Sequence, residues 1–232
     1  MARPKNTAQY EASRAQILDT ARRQMALHGT AGLGLRAIAR ELQWTPTALY
    51  HYFPSMDDLI TELIVDAFNG LADALEAARD AAPGGPLNQL RDVMLAYRAW
   101  AVAHPTDFSL IYGNPIPGYE APRDVTVPAV IRGYTVFLAL IEELLQRGQL
   151  VPKPPYVAIP PEIEMYLQRV ILRDETPVSA HAMYLTVVAW TVGHGAIMLE
   201  LFHHLQPVIG DPSVFYAAQV DALFVSFGAP PG

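Results

Sequence analysis

No cysteine occurs among the 232 residues, which removes disulfides, thiolate metal sites and a cysteine nucleophile together. That absence fits a reducing compartment. The opening stretch MARPKNTAQYEASRAQ has no apolar run of the kind a secretory signal needs, so a cytoplasmic chain is expected. Also missing are a Gly-x-Ser-x-Gly elbow, a glycine-rich phosphate loop and a Ser-His-Asp pattern, and neither a catalytic residue nor a cofactor is expected. One stretch, Tyr184–Phe202, has roughly the length of a membrane span. It carries His194, Glu200 and two glycines, and reads instead as a helix of a soluble protein buried on two sides.

Charged side chains make up only 17% of the sequence, and their signs are segregated. Residues Met1–Tyr52 hold seven basic side chains (Arg3, Lys5, Arg14, Arg22, Arg23, Arg36 and Arg40) against three acidic ones. The remainder holds nine basic and twenty acidic side chains, and the whole carries a net charge of −7. A basic head on an acidic body points to a polyanion met by the head alone.

The apolar spacing is helical throughout, and no strand pair or internal repeat is visible. Ile17, Leu18, Ala21 and Met25 form one stripe over about Glu11–His28, with Gly29 as its C-cap. Leu35, Ile38, Ala39 and Leu42 mark a short second helix behind Gly34. Thr45 then offers a capping hydroxyl, and Pro46 stands at the first helical position of a third helix. Pro54 stops that helix, and Ser55 with Asp58 forms a capping box for a fourth, extending to about Ala78. Beyond the linker APGGP, helices are expected over Leu87–His104, Thr106–Tyr112 with Thr106 as cap, Pro128–Arg147, Glu162–Leu172, Pro177–Leu205 and Pro212–Phe227. The expected fold is all-α: a helix-turn-helix head over residues 1–54, a connecting helix over 55–81 and a larger helical domain over 82–232.

Two short helices separated by a three-residue turn, the second capped by a hydroxyl, form the arrangement in which the second helix enters a DNA major groove. Ala39 is small where the helices cross, and Trp44 and Leu49 face inward. Thr45, Thr47, Ala48, Tyr50 and His51 then face outward. Their hydroxyls and imidazole suit phosphate oxygens or base edges, and the Ala48 methyl suits a thymine methyl. Arg36 is placed to reach the backbone or a groove edge.

At these residues the stretch ILDTARRQMALHGTAGLGLRAIARELQWTPTALYHYFPSMDDLI resembles the N-terminal domain of the TetR family of transcriptional repressors, over about Ser13–Ala72. The resemblance implies DNA contacts from Arg36, Thr45, Thr47, Tyr50 and His51, with Tyr50 and His51 mostly on phosphates. The chain departs from the family at three positions. Gln43 stands where the turn usually has Gly, Gly34 where the second helix usually has a Ser or Thr cap, and Met56 where a Lys usually meets phosphate. The last shifts weight onto Arg3, Lys5 and Arg14 and implies a weak salt dependence.

AHPTDFSLIYGNPIPGYEAP and AWTVGHGAIMLELF are similar to the C-terminal domain of the TetR subfamily named for its Trp-His-Gly signature, here Trp190, His194 and Gly195. That similarity implies a homodimer built on the last two helices and a small molecule bound in the helical body. The helix from Pro177 is apolar nearly all round, so a second face is free for a partner. Gly193, Ala196, Ala218, Ala222 and Val225 are the expected dimer contacts. Tyr97, Trp100, Phe108, Tyr112, Tyr134, Trp190 and His194 are candidate walls of an effector pocket. Their aromatic character implies a neutral or weakly polar hydrophobic effector. Glu200 and His203 have the Glu-x-x-His spacing of a di-iron site, but no second copy exists, and no metal is expected. The reading is a dimeric repressor on a palindromic operator, released by a small effector. The alternative is a helical-bundle enzyme or carrier with a vestigial head.

Overall fold

The computed structural model describes residues 4–230, with side chains from Thr7 onward except that of Ala31. Among the described residues there are eleven α-helices, one 3-10 turn at Thr30–Gly32 and no strand. They pack as two compact units: residues 1–69 with 104–130, and residues 70–103 with 131–232. The expected divisions at 54 and 82 are not where the packing divides the chain. A helical hairpin's worth of later sequence, 104–130, belongs with the head.

In the first unit, α1 (Pro4–His28), α2 (Leu35–Glu41), α3 (Pro46–Tyr52) and the first half of α4 (Met56–Ala81) enclose one core with α6 (Pro105–Tyr112). Ile17, Ala21, Ile38, Leu49, Leu59 and Leu63 contribute to it, with Leu110 from α6. Full burial of Ile38 or Leu49 stabilises by about 1.5–3 kcal/mol each relative to exposure. α1 starts at Pro4, seven residues before the expected Glu11. The polar turns ahead of the stripe have no apolar period to betray them. At its other end Gly29 adopts φ 69° and its amide donates to the Met25 carbonyl at 2.8 Å. The capping box of α4 forms as its sequence implies, with Ser55 N to Asp58 Oδ2 at 2.9 Å and Asp58 N to Ser55 Oγ at 3.1 Å.

Three further helix starts differ from expectation. α6 begins at Pro105 with His104 as a cap whose side chain makes no capping bond, so Thr106 is not the cap. α7 (Arg123–Gln146) contains Pro128 instead of starting there. The Pro122 carbonyl accepts from the Thr126 amide and from Thr126 Oγ1, each at 3.0 Å, and so nucleates the turn ahead of the proline. α9 (Ala180–Leu201) starts three residues after Pro177. Ser179 caps it, accepting from Ala182 N at 3.1 Å, while Glu142 of α7 accepts from Ser179 N and Oγ. A one-turn helix, α10 (Gln206–Ile209), follows α9, too short to show an apolar period of its own.

In the second unit α5 (Pro86–Ala103), α9 and α11 (Pro212–Ser226) pack against one another, and α8 (Pro161–Arg173) lies on α9. Leu90 and Met94 of α5, Leu185, Ala189 and Ile197 of α9, and Tyr216 and Val220 of α11 are all buried. Gly193 is part of this core and not of an outer face. A Cβ there would stand 2.9 Å from Tyr216 Oη, so glycine is what lets α11 approach α9. Tyr216 Oη donates to the Met94 carbonyl at 3.0 Å. Two forked ion pairs tie α5 to the same neighbours: Arg98 to Glu200, with Nε–Oε2 at 2.7 Å, and Arg91 to Asp221, with Nε–Oδ1 at 2.7 Å. Both Glu200 oxygens are thereby engaged by Arg98. α7 and α9 have the length and apolarity of membrane spans, but α9 holds the Glu200 ion pair and buries one whole stripe in this core.

The turn between α2 and α3 closes with Trp44 N to the Ala39 carbonyl at 2.8 Å and Gln43 N to the Arg40 carbonyl at 3.2 Å, a Schellman motif. Gln43 therefore sits at φ 57°, in the left-handed region, where a side chain costs about 1 kcal/mol. Gln43→Gly is expected to raise stability to urea by roughly 0.5–1 kcal/mol, since added freedom of the unfolded chain offsets part of the gain. A variant less stable than the parent contradicts this assignment of strain.

Candidate nucleic-acid interface and ligand pocket

α3 is a seven-residue helix whose orientation is set by one buried side chain. Leu49 has no exposed surface and packs with Ile38 and Ala39 of α2, the latter also buried. Thr45 Oγ1 accepts from Ala48 N at 3.2 Å and so closes the first turn. With Leu49 inward, Thr45, Thr47, Ala48, Tyr50 and His51 all fall on the exposed side, and Tyr50 keeps 44% of its surface in solvent. The five side chains thus form one continuous face of hydroxyls, a methyl and an imidazole.

The cations around this face are fewer than the sequence count implies. Arg14 pairs with Glu62 at 2.8 Å, Arg23 with Glu41 at 3.0 Å, and Arg22 with Asp107 at 2.8 Å and Asp66 at 2.6 Å. Asp107 is buried in the first turn of α6, where the helix dipole also favours its charge. Arg36 and Arg40 are exposed one turn apart on α2 and have no acidic partner among the described residues. Arg14, expected to carry backbone binding, is instead committed to α4. Arg40 is absent from the contacts that the sequence implies; its position four residues after Arg36 on a short helix is the signal that points to it. The side chains of Arg3 and Lys5 lie outside the described residues. Met56 packs against the head core.

In the second unit Tyr97, buried, forms a polar cluster with α9. Its Oη accepts from Trp190 Nε1 at 3.2 Å and lies 2.9 Å from His194 Nδ1. Burial pushes the His194 pKa below its ordinary value, which favours the neutral ring. Trp100 packs beside Gly70, and the half-buried Tyr134 phenol is pushed up to about 12 by desolvation. Phe108 and Tyr112 belong to the other unit, where Phe108 is wholly buried 5.0 Å from the Tyr112 ring. The seven expected pocket residues are therefore split five and two, and Phe108 is a core side chain. Cavities of about 560 and 360 Å³ in the second unit meet at Val178: Ile171, Leu172 and His181 help line the larger, Leu138 and Glu142 the smaller. None of the seven lines either. Thr176 and Pro177, whose sequence suggests a helix start, line the smaller one. Of the expected dimer contacts, Ala218, Ala222 and Val225 are exposed along α11 and Ala196 is half-buried on α9.

Residues 17–63 match the family of bacterial regulatory proteins named for TetR, and residues 90–223 match the tetracyclin repressor-like C-terminal domain. The HTH-type transcriptional regulators Rv1816 of Mycobacterium tuberculosis and Mb1846 of Mycobacterium bovis are each 33% identical over 211 residues, covering 90% of this chain and 89% of theirs. The crystal structure of regulatory protein SCO4313 superposes with a TM-score of 0.76 at 28% identity, covering 94% of this chain and 98% of that one. A tetR-family regulatory protein from Rhodococcus RHA1 shares the fold, with a TM-score of 0.65 at 16% identity over 94% of this chain and 97% of that one.

The chain belongs to the TetR family. It is a DNA-binding transcriptional regulator and not an enzyme, so the helical-bundle enzyme reading is set aside. In this TetR-family head Thr45 caps α3 with its side chain, while Gly34 caps α2 through an extended backbone without a side-chain bond.

Two expectations follow. Because Arg36 and Arg40 are unpaired and Arg23 is neutralised by Glu41, Arg36→Ala or Arg40→Ala lowers the salt slope of binding to a random-sequence duplex by about 0.9 for each phosphate that is no longer neutralised. Arg23→Ala leaves that slope unchanged, and equal effects from all three contradict the charge partition. For His194, the folded pKa lies below the unfolded one, so the unfolded chain takes up a proton that the folded chain refuses. Its contribution is complete above the ordinary histidine value of 6.5 and is lost as pH falls through and below it. His194→Asn therefore shows a shallower decline of urea stability between neutral pH and pH 5 than the parent. Parallel declines exclude His194 as the cause.

Proposed function

We propose that this regulator acts in the cytoplasm as a homodimeric repressor, binds a palindromic operator with one α3 in each half-site, and is released by a small, neutral or weakly polar hydrophobic effector. The observation that carries the reading is the outward face of α3. Thr45, Thr47, Ala48, Tyr50 and His51 are exposed and make no contribution to the core, while Arg36 and Arg40 flank them with uncommitted charge. Such a helix presented twice by a two-fold dimer meets half-sites about one helical turn apart.

Dimerisation is supported by what α9 and α11 leave uncovered. Val187, Thr191, Gly195 and Leu199 follow one another along the exposed side of α9, and Val214, Ala218, Ala222 and Val225 along that of α11. Both stripes recur at helical spacing, so each is one helix face. A self-complementary pairing of the two faces gives an isologous interface. The effector reading is supported by the aromatic Tyr97–His194–Trp190 cluster of the second unit and by the open clefts that meet at Val178. An effector acts by binding more tightly to the form whose heads no longer fit the half-sites.

The experiment is a gel shift on DNA flanking the regulator's own gene. The wild type is expected to shift it. Tyr50→Ala with His51→Ala abolishes the shift while leaving helicity and the dimer intact, and Ala218→Glu with Ala222→Glu gives folded monomers with greatly weakened binding. Full binding by the first double variant refutes the contact assignment; a dimeric second variant refutes the interface.

A further inference from the structure

Burial of Leu49 fixes the rotation of α3 about its own axis, but one buried side chain in seven residues leaves tilt and slide undetermined. A row of aromatic rings supplies that missing restraint. Tyr10 lies on the part of α1 that precedes the apolar stripe, and its ring stacks on Tyr52 at 4.9 Å and 28°. Tyr52 in turn meets Trp44 at 5.7 Å and 37°. Tyr52 is the last residue of α3 and Trp44 stands immediately before its Thr45 cap. The row therefore touches both ends of α3 and is anchored on α1.

The same Tyr10 ring meets His51 nearly at right angles, at 6.3 Å and 87°, and His51 meets Tyr52 at 5.6 Å and 79°. Tyr10 is itself held from behind. The Arg14 guanidinium lies 6.0 Å from its ring centre and 5.2 Å from that of Phe53, and it pairs with Glu62 of α4 at 2.8 Å. Arg14 thus has no freedom to leave for a phosphate without releasing the ring it supports. Tyr10 is only half-buried and is absent from the apolar core of the head, so its contacts fall on the helix that carries the outward face.

We infer that Tyr10 is a positioning residue for DNA reading: through Tyr52, His51 and Trp44 it sets the tilt of α3 at which both half-site helices fit one operator. The inference rests on assigning Thr45, Thr47, Tyr50 and His51 as the reading face. A small error in tilt moves side chains away from base edges, while phosphate attraction to Arg36 and Arg40 tolerates it. Loss of the ring therefore lowers sequence discrimination more than it lowers general affinity.

The test uses the full-length regulator and a duplex recovered by the wild type from a random-sequence pool, with unselected pool DNA as the comparison. Tyr10→Leu keeps an apolar helix-former without a stacking ring, and it weakens binding to the selected duplex about tenfold while binding to the unselected pool changes less than threefold. Tyr10→Phe keeps the ring and binds the selected duplex within threefold of wild type. Tyr10→Ala behaves as Tyr10→Leu, and thermal unfolding of all three is followed so that binding is compared on folded protein. The inference is overturned if Tyr10→Leu binds as wild type, if both DNAs weaken equally, or if Tyr10→Phe loses as much as Tyr10→Leu. Loss of the selected duplex by the Tyr50→Ala, His51→Ala variant checks the reading face separately. A pool from which the wild type selects nothing overturns that face and the positioning role together.

Discussion

The outward face of α3 depends on the burial of Leu49. A seven-residue helix has too few internal hydrogen bonds to be stable alone, so tertiary packing must hold it. Its one wholly buried side chain, pressed on Ile38 and Ala39, decides which residues look outward. From that rotation follow the exposed Thr47, Tyr50 and His51 and the partly buried ring of Tyr52 at the end of the helix. The strained Gln43 turn is the local consequence. Its left-handed backbone is retained because the Schellman bonds and the Trp44 contact over-determine the corner.

Electrostatics then separate into structural and available charge. Three of the five arginines described before residue 54 are bound to carboxylates of the same chain, and the Arg22 pairs join α1 to both α4 and α6. These guanidiniums contribute to holding the head together more than to attracting a polyanion. The available positive charge is concentrated on one side of α2, next to α3, where it can orient the protein on a duplex backbone without reading sequence.

The second unit repeats the same economy with different parts. Gly193 admits Tyr216, whose hydroxyl is satisfied by the Met94 carbonyl, and Arg98 neutralises the buried carboxylate of Glu200. Both of these polar groups thereby have a partner, as burial demands. What α9 and α11 leave exposed includes apolar side chains, among them Val187, Leu199, Val214 and Val225.

Much of this was legible along the chain. The period of Ile17, Leu18, Ala21 and Met25, the Thr45-Pro46 start, the Ser55–Asp58 box and the Asp211-Pro212 start are local signals, and each marks an element at or near its observed end. The helical class, the outward face of α3 and the family itself needed nothing more. Tertiary structure decided what depends on distant partners. Glu142 captures Ser179 and so places the start of α9 beyond Pro177, and Asp107 draws Arg22 and makes 104–130 part of the head. Gly193 turns inward because Tyr216, 23 residues later, needs its space. Short-range spacing specifies caps and faces because the groups involved are neighbours along the backbone; ion pairs, cavities and the choice between two apolar faces are set by residues that only folding brings together.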